Sequence, residues 1–194
     1  MHMLMMRLAR SMAVLGGTVL SLLILLTCLS IVGRLLNGGL HGAVMQSIAP
    51  GLSNWLLDIG IGPINGDFEL VEAGVAFAIF AFLPLCQITA GHASVDIVAN
   101  SFPQIVKRGL RMITELVFAA VLILIALRLG AGTLSKFQNG ETSFLLEFPV
   151  WWAYAASLVA ASVAAIVGTY MAAIRSIEFA TGRILIWDGV EGEQ

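Results

Sequence analysis

Few side chains in this chain could do chemistry. There are three histidines (His2, His41 and His92), two cysteines (Cys28 and Cys86) and two carboxylates three residues apart, Glu69 and Glu72. Residues three apart share a helix face, and a carboxylate pair in a first helical turn is favoured by the positive end of the helix dipole. Capping at a membrane surface and a salt-bridge patch for a partner both fit that pair. Haem held between membrane helices needs histidines facing one another at matched depth, and the charge pattern below puts His41 and His92 on opposite sides. A proton-coupled exporter needs a carboxylate well inside a span. The nearest, Glu115, is expected at a span edge, paired with Arg111 four residues away. No HExxH, paired CxxC, Walker A or GxSxG pattern occurs. No catalytic residue, metal site or cofactor is therefore expected, and both thiols fall within apolar runs, where they act as small apolar groups.

The elements that must position these residues are four long apolar stretches, at about 11–36, 68–90, 110–129 and 150–174. Each reaches the ~20 residues that a spanning helix needs. Hydrophobic residues make up 59% of the 194, charged residues 11%, and mean hydropathy is +0.95; a soluble domain has about 25% charged residues. The expected fold is an all-α integral membrane protein of four transmembrane helices plus a short interfacial helix. Residues 1–176 would form one domain and 177–194 a cytoplasmic tail. A net charge of −2 offers nucleic acid no footprint.

Positive charge sorts by connection. Arg7, Arg10, Lys107, Arg108, Arg111, Arg175 and Arg183 fall on one side, against Arg34, Arg128 and Lys136 on the other. The positive-inside rule then places both termini in the cytoplasm. The first apolar run is too long for a signal peptide and lacks a small-residue cleavage pattern.

Small residues recur at spacing four in helix one (Ala9, Ala13, Gly17, Ser21) and in helix four (Ala156, Ala160, Ala164, Gly168, Ala172). Such rows let helix backbones approach closely, within the chain or against a partner. Helix two is expected to start with Asp67 as N-cap and to kink or end at Pro84. Between helices one and two, Leu52, Trp55, Leu56 and Ile59 fall on one face of a short helix bounded by Pro50 and Pro63. A segment of this kind lies in the membrane interface with Trp55 as anchor. Helix three is expected from Pro103 to about Lys136, roughly 50 Å at ~1.5 Å per residue and far beyond a ~30 Å core. Trp151, Trp152 and Tyr154 open helix four as an aromatic belt.

The order of these features resembles a known family. Ile31-Val32-Gly33-Arg34 follows helix one, and Phe68-Glu69-Leu70-Val71-Glu72 opens helix two. Gly91-His92-Ala93-Ser94-Val95-Asp96-Ile97-Val98 ends it, before Phe102-Pro103. Gly140-Glu141-Thr142 and Phe148-Pro149-Val150-Trp151 come later. Across residues 10–176 the chain resembles the small membrane subunit (Q subunit) of tripartite ATP-independent periplasmic (TRAP) transporters, with a longer first outer connection than is usual. The resemblance implies a multi-pass subunit of the bacterial inner membrane that scaffolds a large multi-span subunit. That large subunit would import an organic anion, often a carboxylate, by sodium symport from a periplasmic substrate-binding protein. Partner contacts are then expected at Arg34, Glu69, Glu72, His92, Asp96 and Trp151, with Trp55 and Trp152 as interfacial anchors. The alternatives are a membrane anchor for a redox or other enzyme complex and a self-sufficient small transporter or channel.

Overall fold

The computed structural model describes residues 1–89 and 103–182. Its helices, in chain order, are α1 (His2–His41), α2 (Ala43–Ile48), α3 (Pro50–Asp58), α4 (Asp67–Ile88), α5 (Gln104–Asn139) and α6 (Trp151–Thr181). Four of them, α1, α4, α5 and α6, are long and apolar enough to cross a membrane, as expected. Among the described residues there is no strand, only an isolated antiparallel bridge between Thr142 and Pro149.

The spans stand side by side in the order α1, α4, α6, α5, with α6 against both α4 and α5. At ~1.5 Å per residue, the 22 residues of α4 cover about 33 Å, close to the ~30 Å hydrocarbon core. The 40 residues of α1 and 36 of α5 overshoot it and must tilt or project. Helix α6 runs to Thr181, seven residues past the expected end of its span at 174.

The two rows of small residues behave differently. In α6, Ala160, Ala164, Gly168 and Ala172 are buried inside the chain, and Gly168 lies against Leu122 of α5. In α1 the buried small residues are Ala9, Gly16 and Ser30, with half-buried Leu23 completing a spacing of seven rather than four. The reason is rotational. Seven residues return to the same helix face within about 20°, whereas each step of four advances about 40°, so a row at spacing four winds off a long, nearly parallel contact. Ala9 joins Ile88, Val167 and Met171 in one core cluster, and Leu122, Ala164 and Ala165 form the other.

The connection between α1 and α4 folds back along α1. Gly33 permits this: a Cβ there would stand 2.1 Å from the carbonyl oxygen of Gly62. Asn37 donates to the Ile61 carbonyl at 2.9 Å, and the Ser30 hydroxyl accepts from the Ile64 N–H at 3.3 Å. Ser53 is buried and donates to the Leu40 carbonyl at 2.6 Å. The apolar residues of α3, Leu52, Trp55 and nearby Ile59, are left exposed. Ser53 therefore turns inward while Leu52 and Trp55 stay outward, with Asn54 and Asp58 also exposed and Leu56 half-buried; the outward Trp55 suits an interfacial helix.

One expectation for α4 needs correction. Its N-cap is Gly66, in the left-handed conformation at φ 80°, and Asp67 is the first helical residue, accepting the Phe68 N–H at 2.8 Å. Only a residue without a Cβ takes that turn at low cost, so the cap moves back by one. Pro84 lies inside the helix, which continues one turn further, to Ile88.

Candidate functional site

The end of the bundle where α5 turns into α6 brings together the two carboxylates Glu69 and Glu72 and the α5–α6 hairpin. Gly140, at φ 63°, stops α5. The chain then pairs with itself: the Ser143 N–H donates to the Phe148 carbonyl at 2.9 Å and the Val150 N–H to that of Glu141 at 3.0 Å. Glu141 accepts from Lys136 Nζ at 2.5 Å and from Asn139 Nδ2 at 3.1 Å. The Lys136 hydrogen bond, followed by that of Asn139, holds the Glu141 carboxyl below its ordinary pKa despite some desolvation.

Glu69, in the first turn of α4, secures the tip of this hairpin. Its Oε1 accepts the Leu145 N–H at 2.7 Å and its Oε2 accepts the Leu146 N–H at 3.0 Å. A carboxylate taking two backbone N–H groups satisfies donors that no ladder reaches. Glu72, one turn on, is exposed, and no ion pair or hydrogen bond reaches it among the described residues.

Beneath the hairpin, α4, α5 and α6 enclose a half-open cavity of about 480 Å³. Glu69 and Glu72 lie at its mouth, Ala76, Phe80 and Leu129 form deeper walls, and Tyr154 and Ser157 line the α6 side. Ser157 is 3% exposed, and its hydroxyl has no hydrogen-bond partner among the described residues.

The other candidates are dispersed. Arg34 approaches Asp67 at 4.0 Å with its side chain mostly exposed. Trp151 packs edge-on against Phe137 of α5 at 5.3 Å and against Trp152 at 6.2 Å. Trp152 and Trp55 are 57% and 59% exposed. His92 and Asp96, with the Gly91–Val98 motif, lie outside the described residues.

A second group of polar side chains is buried at the opposite end. Glu115, expected at a span edge, is buried there and accepts a hydrogen bond from Gln87 Nε2 of α4. Arg175 and Glu178 of α6 are both buried and paired at 2.6 Å. Counted along α5 and α6, Glu115 and Arg175 each stand 24 residues from the hairpin-end terminus of their helix, about 36 Å, so these charges share one depth. A polar residue inside an apolar helix was the available signal. Neither Gln87 nor the i,i+3 pair Arg175–Glu178 was weighed that way.

Comparison with known proteins gives one match. The family model for the DctQ component of tripartite ATP-independent periplasmic transporters matches residues 59–178. No curated protein and no solved structure matches the chain.

Proposed function

The chain belongs to the DctQ-component family of tripartite ATP-independent periplasmic transporters, and from that premise we propose that it is the small scaffold subunit of one such transporter. It is a multi-pass membrane protein of a transporter family. In the proposed role it packs beside a large multi-span subunit in the bacterial inner membrane, with both termini cytoplasmic and the hairpin end facing the periplasm. The large subunit imports an organic anion, a carboxylate, with sodium, delivered by a periplasmic binding protein.

The observation that carries this reading is the family match from just after α3 through most of α6. The packing agrees with it. The buried charged groups Glu115, Arg175 and Glu178 each meet a polar partner within the chain, and the small residues of α6 serve its own neighbours. Such a body suits a fixed scaffold better than a conduit, which keeps ionisable groups facing a water-filled path. Arg34, Glu72 and Trp151 are the proposed contacts at the hairpin end, with Glu69 acting through the loop it holds. His92 and Asp96 are proposed to order the connection between α4 and α5, and Trp55 and Trp152 to anchor the interface.

Pull-down of the tagged chain from mild-detergent membranes, with partners identified by mass spectrometry, tests the proposal. A stoichiometric partner of about a dozen spans is the expected result. A homo-oligomer alone, or a cofactor-bearing enzyme, overturns it. Charge reversal at Glu69 and Glu72 that left assembly and uptake intact would remove those two residues from the contact set.

A further inference from the structure

The cavity under the hairpin has a polarity gradient along the membrane normal. Its mouth holds Glu69 and Glu72, and its far wall holds Phe80, eleven residues further along α4. That separation is about 16 Å at ~1.5 Å per residue, the depth of one leaflet of a ~30 Å core. Trp151 and Trp152, which mark the interface by their type, begin α6 at the same end. The cavity is therefore acidic at headgroup level and apolar toward the bilayer centre.

Ser157 is the second, independent sign of a ligand. Thr133, Thr169 and Ser176 each donate to the carbonyl four residues back, at 2.7–2.8 Å. Ser157, on the same helix as the latter two, makes no such bond although it is buried, and it lines the cavity. A buried hydroxyl without a partner carries a desolvation cost that a ligand oxygen or N–H would remove.

We propose that this groove binds one ethanolamine phospholipid from the surrounding bilayer. The headgroup ammonium donates to the Glu72 carboxylate. The Ser157 hydroxyl donates to an ester carbonyl at the glycerol level, and one acyl chain lies along Ala76, Phe80 and Leu129. Each feature selects against an alternative. A glycerol headgroup brings no cation, and its lipid's net negative charge is repelled by the acidic mouth. A choline headgroup has no N–H to donate. The lysine of a neighbouring protein, a charge on a four-carbon stem, would fill the mouth and leave the apolar floor empty. The volume of about 480 Å³ is that of an ordinary small-ligand cavity, roughly 300–1,000 Å³.

Native mass spectrometry of the full chain tests the proposal, with whatever subunits accompany it in mild detergent. The protein is titrated with ethanolamine, choline and glycerol phospholipids of matched chains. One ethanolamine lipid is expected per chain, favoured over the glycerol lipid by about tenfold, the worth of one charge-assisted hydrogen bond. Glu72→Gln should erase that preference, and Ala76→Phe should abolish retention while leaving the thermal midpoint unchanged. Should the Phe variant fail to fold, Ser157→Ala keeps the groove and should weaken retention of the ethanolamine lipid. Equal retention of all three headgroups, no retained lipid, or indifference to Glu72→Gln overturns the proposal. So does carbodiimide coupling of Glu72 to a lysine of a co-purified protein without bound lipid. The lipid count is read on this chain, so it stands or falls separately from the identity of the transport partner.

Discussion

Removing Arg175 should destabilise this protein more than any exposed charge could. Its guanidinium and the Glu178 carboxylate are 2.6 Å apart on one face of α6, and the two residues are only 6% and 7% exposed. An exposed pair is worth about 0–1 kcal/mol, and a hydrogen bond between membrane helices averages about 0.6 kcal/mol. Stripping one partner from a buried pair instead takes from the remaining charge its hydrogen-bonded counter-charge, at a cost of about 3–5 kcal/mol. For a chain of this size ~1 kcal/mol moves the thermal midpoint by about 2–4 °C. Arg175→Met should therefore lower the midpoint by on the order of 10 °C. Circular dichroism of the purified protein in mild detergent reads this directly. The double variant Arg175→Met/Glu178→Leu should lose less than the sum of the single losses, by about 1–3 kcal/mol, because contacting residues couple. A midpoint shift below about 2 °C for Arg175→Met would refute the reasoning, as would strictly additive losses. Either result would mean that water reaches this pair.

Three further outcomes follow from the geometry. Gly33→Ala should cost about 1–3 kcal/mol through overpacking against the Gly62 carbonyl, whereas Gly39→Ala, with nothing within 4 Å, should be neutral; limited proteolysis of the 42–66 connection separates the two. Glu141 titrates below its ordinary pKa of 4.5, so it stabilises the hairpin above that value and the effect is lost as pH falls through the lowered folded value. Glu141→Gln should abolish that pH dependence and loosen the hairpin at neutral pH toward its acid-side level, which hydrogen exchange at Ser143 and Val150 reports. In single-tryptophan variants in vesicles, brominated lipid should quench Trp55 and Trp152 more than Trp151, which Phe137 shields; equal quenching would contradict the interfacial placement of α3.

Long apolar runs made the helical class and the four spans readable, because a bilayer demands lengths that few other environments do. The outward apolar face of α3 was readable for the same reason: Leu52, Trp55 and Ile59 recur at helical spacing. The start of α4 was readable to within one residue, since acidic side chains gather at a helix N-terminus. The pairwise arrangement was not. Spacing four in α1 looked like a contact row, yet the contact runs through Ala9, Gly16 and Ser30, because which periodicity survives depends on how two helices cross. Glu69 read as a surface charge, but its carboxylate meets backbone N–H groups 76 and 77 residues away. Gln87 and Glu115 likewise meet across 28 residues. Local sequence thus determined which segments leave water, through hydrophobicity and periodicity summed over a turn or more. Only the tertiary structure decided which polar groups meet inside, because a partner distant along the chain leaves no mark on the local pattern.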